Sequence, residues 1–306
     1  MKKKILLVAG GYSNEREISL KTAKSVHKEL KKNKNYIIEF VEPNGNFIKK
    51  IKSFKPTIVF NLLHGRYGED GYIQALLESQ NVKYTHSGVL SSSLAIDKEI
   101  SKKIYVKNKI LTPKYIKYNF KSPKEIKLLK IVEKKLKFPV VIKPINEGSS
   151  VKVFICQKKN FLNNLKNLRD YDEILIEKFI PGREIQVAIL GDQKLGAIEL
   201  KPKRKFYDYE AKYNPKAKTE HIIPVDLSRK NYDKLTSIAL KAHKLLMCRG
   251  VTRSDFRFYN NKFYLLETNT QPGMTSLSLV PEIARYKNIS FGELINKIIK
   301  DASINK

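Results

Sequence analysis

The stretch Thr57-Ile-Val-Phe-Asn-Leu-Leu-His-Gly65 sets the fold class, because an apolar run of strand length stops at a glycine and a helical pattern follows at residues 72–77. Residues 5–9 repeat this arrangement: their apolar run closes at Gly10-Gly11, and residues 15–31 carry apolar side chains at helical spacing. Two successive strand-loop-helix units predict a parallel sheet whose functional loops lie at the carboxyl ends of its strands.

The rest of the chain has a different pattern. Residues 90–97, which include Ser91-Ser-Ser93, are small and polar enough to mark a domain boundary. Further apolar runs predict strands at residues 138–143, 173–177 and 183–190, a hairpin over 251–269 that turns at Asn260-Asn261, and a closing helix at 290–301. Residues 201–221 are rich in Lys, Tyr and Pro and show no period.

Composition predicts a globular chain of about two domains, with 306 residues, of which 42% are hydrophobic and 29% charged. The unusual quantity is the net charge of +30, from 60 basic and 30 acidic residues, which makes a nucleic-acid binder the first hypothesis. The placement of the charge argues against it. Residues 101–140 carry 13 Lys and two Glu, whereas residues 250–306, which contain the most motifs, carry eight basic and five acidic residues.

The basic segment has the pattern of a capped surface helix. Ser122, Pro123 and Glu125 occupy N-cap, N1 and N3 positions. An apolar stripe is predicted at Ile126, Leu129, Val132 and Leu136, and most of the lysines lie off it. We therefore expect a solvated helix face rather than a surface that binds nucleic acid.

Two cysteines, Cys156 and Cys248, lie far apart and have no metal-ligand spacing, which indicates a reducing compartment. The apolar run after Met1-Lys-Lys-Lys is too short for a signal peptide, so we expect a buried first strand. No run approaches the roughly 18 apolar residues of a membrane span, and a cytoplasmic location is expected.

The C-terminal hairpin carries the strongest chemical pattern. Asp255, Glu267 and Asn269 fall at the ends of its paired strands, and ligands that are all oxygen favour a hard cation such as Mg²⁺. Asp255 lies directly opposite Glu267 only if the loop has three residues, so we predict a loop of residues 260–262. A two-residue turn would send the two carboxylates to opposite faces of the sheet. The alternative is an ordinary polar hairpin end.

Four other segments suggest binding. Lys143 precedes Asn146-Glu-Gly-Ser-Ser150, where backbone N–H groups after a strand could receive a phosphate or carboxylate. Residues 205–213 interleave aromatic and basic side chains in a long aperiodic stretch, which is typical of a functional loop, a mobile surface loop or a stacking platform. Residues 13–17 and 64–71 lie at the ends of the first two predicted β-loop-α strands. Neither a P-loop nor a dinucleotide fingerprint occurs.

Taken together and in this order, the five segments resemble the D-alanine-D-alanine ligase family of the ATP-grasp superfamily, from Gly10 to Pro281. The resemblance implies an α/β fold, with an N-terminal Rossmann-like (pre-ATP-grasp) domain followed by a two-lobed ATP-grasp α+β unit. It places the domains at residues 1–93, 94–180 and 181–306, with a lid loop at 203–220. The implied reaction phosphorylates one D-alanine with ATP and joins it to a second D-alanine for peptidoglycan synthesis.

The resemblance also implies roles for individual residues. The first D-alanine would meet Glu15, Ser149, Tyr213 and His64. Contacts to ATP would come from Lys98, Lys143, Ser150, Glu177, Lys178, Glu184 and Lys212. Two Mg²⁺ (or Mn²⁺) ions would be held by Asp255, Glu267 and Asn269. The oxyanion of the tetrahedral intermediate would be stabilised by Arg253 and Gly273, and the carboxylate of the second substrate by Ser278 and Leu279.

One position departs from the family pattern. Val-Gly-Met usually follows the second serine of the phosphate loop, whereas this chain has Val151-Lys152-Val153. Because glycine tolerates positive φ, Lys152 implies either an ordinary strand conformation or a slightly altered loop.

Two other functions are also consistent with parts of the sequence. A D-alanine-D-lactate ligase shares most of these motifs, although Phe206-Tyr-Asp-Tyr-Glu-Ala-Lys-Tyr213 resembles the dipeptide-forming type. A basic nucleic-acid-binding protein without catalysis would show binding that weakens steeply with salt. The ligase interpretation predicts only small-molecule partners, no specific nucleic acid, no membrane and, from the family alone, a homodimer.

Overall fold

The computed structural model describes residues 2–121, 125–148, 151–202, 219–275 and 278–304. The strands in these ranges are β1 (Lys3–Val8), β2 (Tyr36–Val41), β3 (Ile58–Asn61), β4 (Tyr115–Asn119), β5 (Val140–Pro144), β6 (Phe154–Cys156), β7 (Glu173–Lys178), β8 (Arg183–Leu190), β9 (Gln193–Lys201), β10 (Glu220–Ile222), β11 (Val251–Tyr259) and β12 (Lys262–Asn269). The α-helices are α1 (Arg16–Leu30), α2 (Phe47–Phe54), α3 (Tyr72–Ser79), α4 (Val89–Ile96), α5 (Lys98–Lys107), α6 (Glu125–Lys135), α7 (Phe161–Lys166), α8 (Arg229–Leu245), α9 (Leu279–Tyr286) and α10 (Phe291–Asp301).

The N-terminal sheet is parallel, with strand order β2-β1-β3, as the two strand-loop-helix units predict. Its central strand β1 is apolar because both faces are covered, and Ile5 to Val8 are fully buried. The sequence did not predict β2, because Glu39 interrupts its apolar run and its residues do not alternate between apolar and polar. In the structure two of its hydrophobic residues are exposed. The carboxyl ends of β1 and β3 lie side by side and bring residues 10–15 close to residues 64–69.

A second sheet is antiparallel, with order β4-β7-β5-β6, and helices α6 and α7 cover one face. The apolar stripe predicted for α6 is partly wrong. Ile126 is 73% exposed, and the buried face runs instead through Leu128, Val132 and Leu136 at intervals of four residues. The lysines of α6 that the structure describes are exposed, as predicted, whereas Ser122 and Pro123 lie outside the described residues.

The third sheet has five antiparallel strands in the order β10-β9-β8-β11-β12. Helix α8 packs on one face. On the other face, one continuous core joins β8 and β9 to α9, α10 and the N-terminal sheet. Residues 90–96 of the stretch that we expected to mark a boundary lie in α4, where the Ser91 hydroxyl donates to the Met247 carbonyl at 2.5 Å.

The hairpin β11-β12 differs from the prediction in its turn. Tyr259 pairs with Lys262, so the loop has two residues, and the predicted three-residue loop is wrong. Asn260 and Asn261 both have positive φ, at 47° and 55°, which suits a tight two-residue hairpin turn. A β-bulge at Leu266 then shifts the register by one residue, and Asp255 still lies directly opposite Glu267.

No helix in the described ranges is long and apolar enough to cross a membrane.

Two buried histidines make the fold sensitive to acid. Burial lowers the pKa of His243 to about 4, and burial together with the charges of His64 and Arg249 lowers the pKa of His86 to about 3. The folded chain keeps both rings neutral, whereas the unfolded chain protonates them below a pH of about 6.5. Each histidine therefore removes stability as the pH falls from about 6.5 towards its folded pKa.

We predict that His243→Gln makes thermal unfolding less sensitive to acid. From pH 7 to pH 5, the buried neutral imidazole of His243 removes about 2 kcal/mol of stability, and glutamine has no proton to bind. Scanning calorimetry at the two pH values should show a smaller fall in Tm for the variant than for the wild type. Parallel falls in Tm would contradict the prediction.

Candidate active site

A cleft between the four-stranded sheet and the hairpin β11-β12 brings together most of the residues predicted to contact ATP or metal. Its lining includes seven of them: Lys98, Lys143, Glu177, Lys178, Glu184, Asp255 and Glu267. Apolar walls come from Val141, Val153, Ile180 and Leu266. The cleft is thus apolar on its sides and charged at one end, which suits a ligand with a flat apolar part and an anionic tail.

The charged end is built on one face of the hairpin. Arg253 pairs with Asn269 and Asp255 pairs with Glu267 in the ladder, so these four side chains share a face. The Arg253 guanidinium donates to both carboxylate oxygens of Asp255, at 2.8 and 3.1 Å. Lys98 Nζ lies 3.5 Å from a carboxylate oxygen of Glu267. Protein cations therefore balance the carboxylates in this structure.

The donor set fits a divalent cation that prefers oxygen. Two opposed carboxylates and a carboxamide supply such oxygens. Within the described residues, no group of three or more His, Cys, Asp and Glu side chains could hold a metal, and Asn269 offers an amide oxygen beside the two carboxylates. The Asn269 side-chain oxygen already accepts from the Gln271 backbone N–H at 2.7 Å, which leaves one lone pair free for a cation.

Two lysines enter the cleft from different elements. Lys98 is the first residue of α5, and its ammonium donates to the Glu147 carbonyl at 2.6 Å, so it joins α5 to the loop after β5. Lys143 extends from β5, and its Nζ lies 2.8 Å from Glu177. Burial alone lowers the pKa of Lys143, but the carboxylates of Glu177 and Glu267 outweigh it and raise the pKa. Lys143 therefore keeps its positive charge in the cleft.

Glu177 lies deeper than its predicted contact with adenine suggests. It is buried at the end of β7 and forms ion pairs with Lys143 and with Lys102, which lies 2.7 Å away on α5. Burial raises the pKa of Glu177, but the two lysines outweigh that effect and lower it. The neighbouring Lys178 reaches the rim, where its Nζ donates to the Lys137 carbonyl at 3.0 Å.

Glu184 lies at the entrance of the cleft and is held by Arg257, whose guanidinium donates to the carboxylate at 3.0 Å. Arg257 also donates to the Ile180 carbonyl, so it fixes the turn between β7 and β8. A carboxylate oriented in this way can accept hydrogen bonds from hydroxyl groups of a ligand.

A second group of predicted residues lies at the carboxyl ends of β1 and β3. Glu15 is buried against Gly148, where a Cβ atom would lie 2.9 Å from the Glu15 carboxylate. His64 lies nearby, with Nε2 3.2 Å from the Thr22 hydroxyl and Nδ1 3.3 Å from Glu69. The close contact with Gly148 explains the glycine there and places Glu15 beside the loop after β5.

The remaining predicted residues lie at the start of α9. Ser278 is the N-cap residue, and its hydroxyl accepts from the Thr275 backbone N–H at 3.0 Å. Leu279 is the first helical residue, and its side chain is buried in the core, so only its backbone N–H is suited to an anion. Gly273 packs against Ser278, where a Cβ atom would lie 3.0 Å from the hydroxyl oxygen.

Several predictions fall on residues outside the described ranges. These are Ser149, Ser150, Lys212, Tyr213 and residues 203–218 of the predicted lid. Lys152 is described and has a φ of 51°, so the ordinary strand conformation is wrong. Its ammonium pairs with Asp170 at 2.8 Å on an exposed surface.

Sequence reasoning missed three residues of this region. Lys102 follows Lys98 by one helical turn, a spacing that could have revealed it. Arg257 follows Arg253 and Asp255 at intervals of two on a strand, which puts it on the same face. Gln271 joins the hairpin to β3, because its amide oxygen accepts from Asn61 at 2.7 Å and its amide nitrogen donates to the Leu63 carbonyl. No sequence pattern signals that long-range contact.

Comparison with known proteins shows the family of the chain. Residues 107–300 match the family model described as the C-terminus of D-ala D-ala ligase. The D-alanine-D-alanine ligase of Pelagibacter ubique (strain HTCC1062) is 66% identical, with both chains covered completely. The ligase of the same name from Wolbachia pipientis wMel is 44% identical, with 99% of this chain and 95% of the relative covered.

Solved structures give the same result. A D-alanine-D-alanine ligase from Bacillus anthracis complexed with ATP superposes with a TM-score of 0.85 at 31% identity, covering 98% of this chain and 97% of the other. VanG, a D-Ala:D-Ser ligase from Enterococcus faecalis, superposes with a TM-score of 0.83 at 25% identity, covering 98% and 99%. With a family model over more than half its length and a full-length relative at this identity, the chain belongs to the D-alanine-D-alanine ligase family.

Proposed function

We propose that this protein joins two D-alanines in an ATP-dependent reaction that supplies peptidoglycan precursors. The observation that carries the proposal is the facing arrangement of Lys98 and Lys143 against Asp255 and Glu267 in one cleft. Cations that receive phosphates and carboxylates that receive a metal are both needed for phosphoryl transfer from ATP. The identity to relatives named D-alanine-D-alanine ligase supports the choice of substrate.

The proposed chemistry has two steps. A carboxylate oxygen of the first D-alanine attacks the γ-phosphorus of ATP, which forms an acyl phosphate and releases ADP. The amine of the second D-alanine then attacks the acyl carbon, and the tetrahedral intermediate expels phosphate and loses a proton to leave the dipeptide. The first step needs relief of charge repulsion, and the second needs stabilisation of an oxyanion.

The hairpin would hold two Mg²⁺ (or Mn²⁺) ions through Asp255, Glu267 and Asn269. Such ions offset the repulsion between the phosphates and the incoming carboxylate. In the structure each carboxylate is paired with a protein cation, Asp255 with Arg253 and Glu267 with Lys98. A bound metal would replace these cations, and Arg253 and Lys98 would then be available to substrate.

Nucleotide binding would use the rest of the cleft. Lys98 and Lys143, together with Ser150 and Lys212, would contact phosphates, and Glu184 would accept from the ribose hydroxyls. Glu177 and Lys178 would face the adenine. The apolar walls at Val141 and Leu266 support a flat base in this position.

The amino-acid substrates would bind on either side of the transferred phosphate. Glu15 would receive the ammonium of the first D-alanine, beside His64 and with Ser149 and Tyr213. Arg253 and the Gly273 N–H would stabilise the oxyanion. The Ser278 hydroxyl and the N–H of Leu279 at the start of α9 would receive the carboxylate of the second D-alanine.

We also propose how the chain is divided into domains. We divide the chain into domains at residues 1–93, 94–180 and 181–306, with residues 203–220 as a lid that excludes water from the acyl phosphate. We further propose a homodimer, no specific nucleic-acid partner, no membrane association and a cytoplasmic location, where ATP is supplied.

We predict that Glu267→Ala abolishes D-alanine-dependent phosphate release from ATP. The substitution removes the carboxylate opposite Asp255 and with it a metal ligand. The matched control is Glu133→Ala, which removes an exposed carboxylate on α6. Phosphate release and binding to labelled RNA should be measured together over a range of salt concentrations. Activity that survives in Glu267→Ala, or RNA binding that persists at high salt, would contradict the proposal.

Arg253→Ala is predicted to lower kcat by about 100- to 1,000-fold, the usual cost of one oxyanion donor. Because Arg253 also pairs with Asp255, turnover should be measured at saturating Mg²⁺. The exposed Arg229→Ala is the matched control and should keep full activity. A kcat for Arg253→Ala near the wild-type value would remove this arginine from the assignment.

The choice of second substrate can be tested by competition. We predict that D-alanine is preferred to D-lactate at neutral pH, as measured by mass spectrometry of the products over a range of pH. Residues 206–213 resemble the dipeptide-forming type, which carries this prediction. Preferential incorporation of D-lactate at neutral pH would overturn it.

A further inference from the structure

A fully buried lysine underlies the cleft. Lys102 lies on α5 one helical turn after Lys98, and its side chain is completely shielded from solvent. Its ammonium donates to the Thr112 hydroxyl at 2.5 Å and lies 2.7 Å from the Glu177 carboxylate. Burying an ammonium is costly unless it is paired, so this position needs a reason.

Lys102 shares the Glu177 carboxylate with Lys143. It contacts one oxygen of Glu177, Oε1, while Lys143 contacts the other oxygen, Oε2, at 2.8 Å. The carboxylate is therefore held at both ends, and neither lysine can take both oxygens. Lys143 lines the cleft, whereas Lys102 lies behind Glu177.

The charges explain why two lysines share one carboxylate. A single buried pair of Glu177 with Lys143 would be neutral, and the carboxylate could turn both oxygens towards Lys143 and retain it. The second lysine leaves a net positive charge behind the cleft and engages half of the carboxylate. Lys143 is thereby held in place by one oxygen and keeps donors free for an anion.

We propose that Lys102 is a positioning residue for nucleotide binding: it fixes Glu177 so that Lys143 presents its ammonium to the phosphates of ATP. Lys102 does not itself touch the nucleotide. The inference rests on the proposed function for its substrate, but its test uses nucleotide binding alone.

The test compares Lys102→Met with the wild type. Methionine has a similar length and no charge, so Glu177 turns towards Lys143 and withdraws it from the phosphates. We expect the Kd for a non-hydrolysable ATP analogue, measured by calorimetry without D-alanine, to rise about tenfold, as for the loss of one charge-assisted contact. In turnover assays the KM for ATP should rise by a similar factor, while the KM values for D-alanine stay within about twofold.

The matched control lies on the same helix. Lys107→Met makes the same chemical change at an exposed position of α5 and should leave both nucleotide constants unaltered. Because Lys102→Met removes a buried group, its Tm should be recorded. Thr112→Val provides a milder second variant, since it removes only the hydroxyl that accepts from Lys102, and a rise in Kd of about threefold is expected.

A double-variant cycle separates positioning from general support. If Lys102 acts through Glu177, then Lys102→Met combined with Glu177→Gln should bind the ATP analogue no more weakly than Glu177→Gln alone. Additive losses would contradict the proposal. An unchanged Kd in folded Lys102→Met and Thr112→Val would also overturn it, as would a fall in kcat with both KM values constant. Failure of the wild type to consume D-alanine would contradict the proposed function and leave the binding comparison intact.

Discussion

The need to pair every buried charge is the constraint on which this cleft depends. The cleft needs cations to receive phosphates and carboxylates to receive metals, yet each is destabilising if it is buried alone. The structure meets this constraint by local pairing: Arg253 with Asp255, Lys98 with Glu267, and Lys102 and Lys143 with Glu177. These pairs hold the elements in place without substrate. When a ligand binds, each charged side chain exchanges its protein partner for a charge on the ligand, so no charge has to be buried alone. An ATP-metal complex supplies both signs together, so it can replace the protein's own pairs.

The hairpin shows where sequence reasoning succeeded and where it could not. Residue types suggested a metal site at Asp255, Glu267 and Asn269, which stays a prediction. The shared face that such a site requires of the two carboxylates is confirmed. The inferred loop length was wrong because a regular ladder was assumed. The bulge at Leu266 adds the residue that the tight Asn260-Asn261 turn lacks. A bulge and a longer turn change the register in the same way, so the pattern of side chains alone does not distinguish them.

The other misses have a similar origin. In α6 both Ile126 and Leu128 satisfy a helical period, and only packing against α7 decides that Leu128 is buried and Ile126 exposed. Strand β2 lacks a clear pattern because it is an edge strand with solvent on part of both faces. Gln271 joins residues more than 200 positions apart. Each of these features depends on tertiary contacts, whereas the β-loop-α units and the capped helix α10 are local and were predictable.

The structure divides the lysines that produce the high net charge into solvated ones and buried ones. Most lysines of α6 are solvated and contribute to a general positive field. Such a field attracts any polyanion and cannot distinguish ATP from nucleic acid. Lys98, Lys102 and Lys143 are different because burial makes each depend on a particular carboxylate or carbonyl partner. Among the lysines that the structure describes, these three are the buried ones, and each is held by a carboxylate, Glu267 for Lys98 and Glu177 for the other two. We therefore expect these three, rather than the exposed lysines, to distinguish ATP from other polyanions.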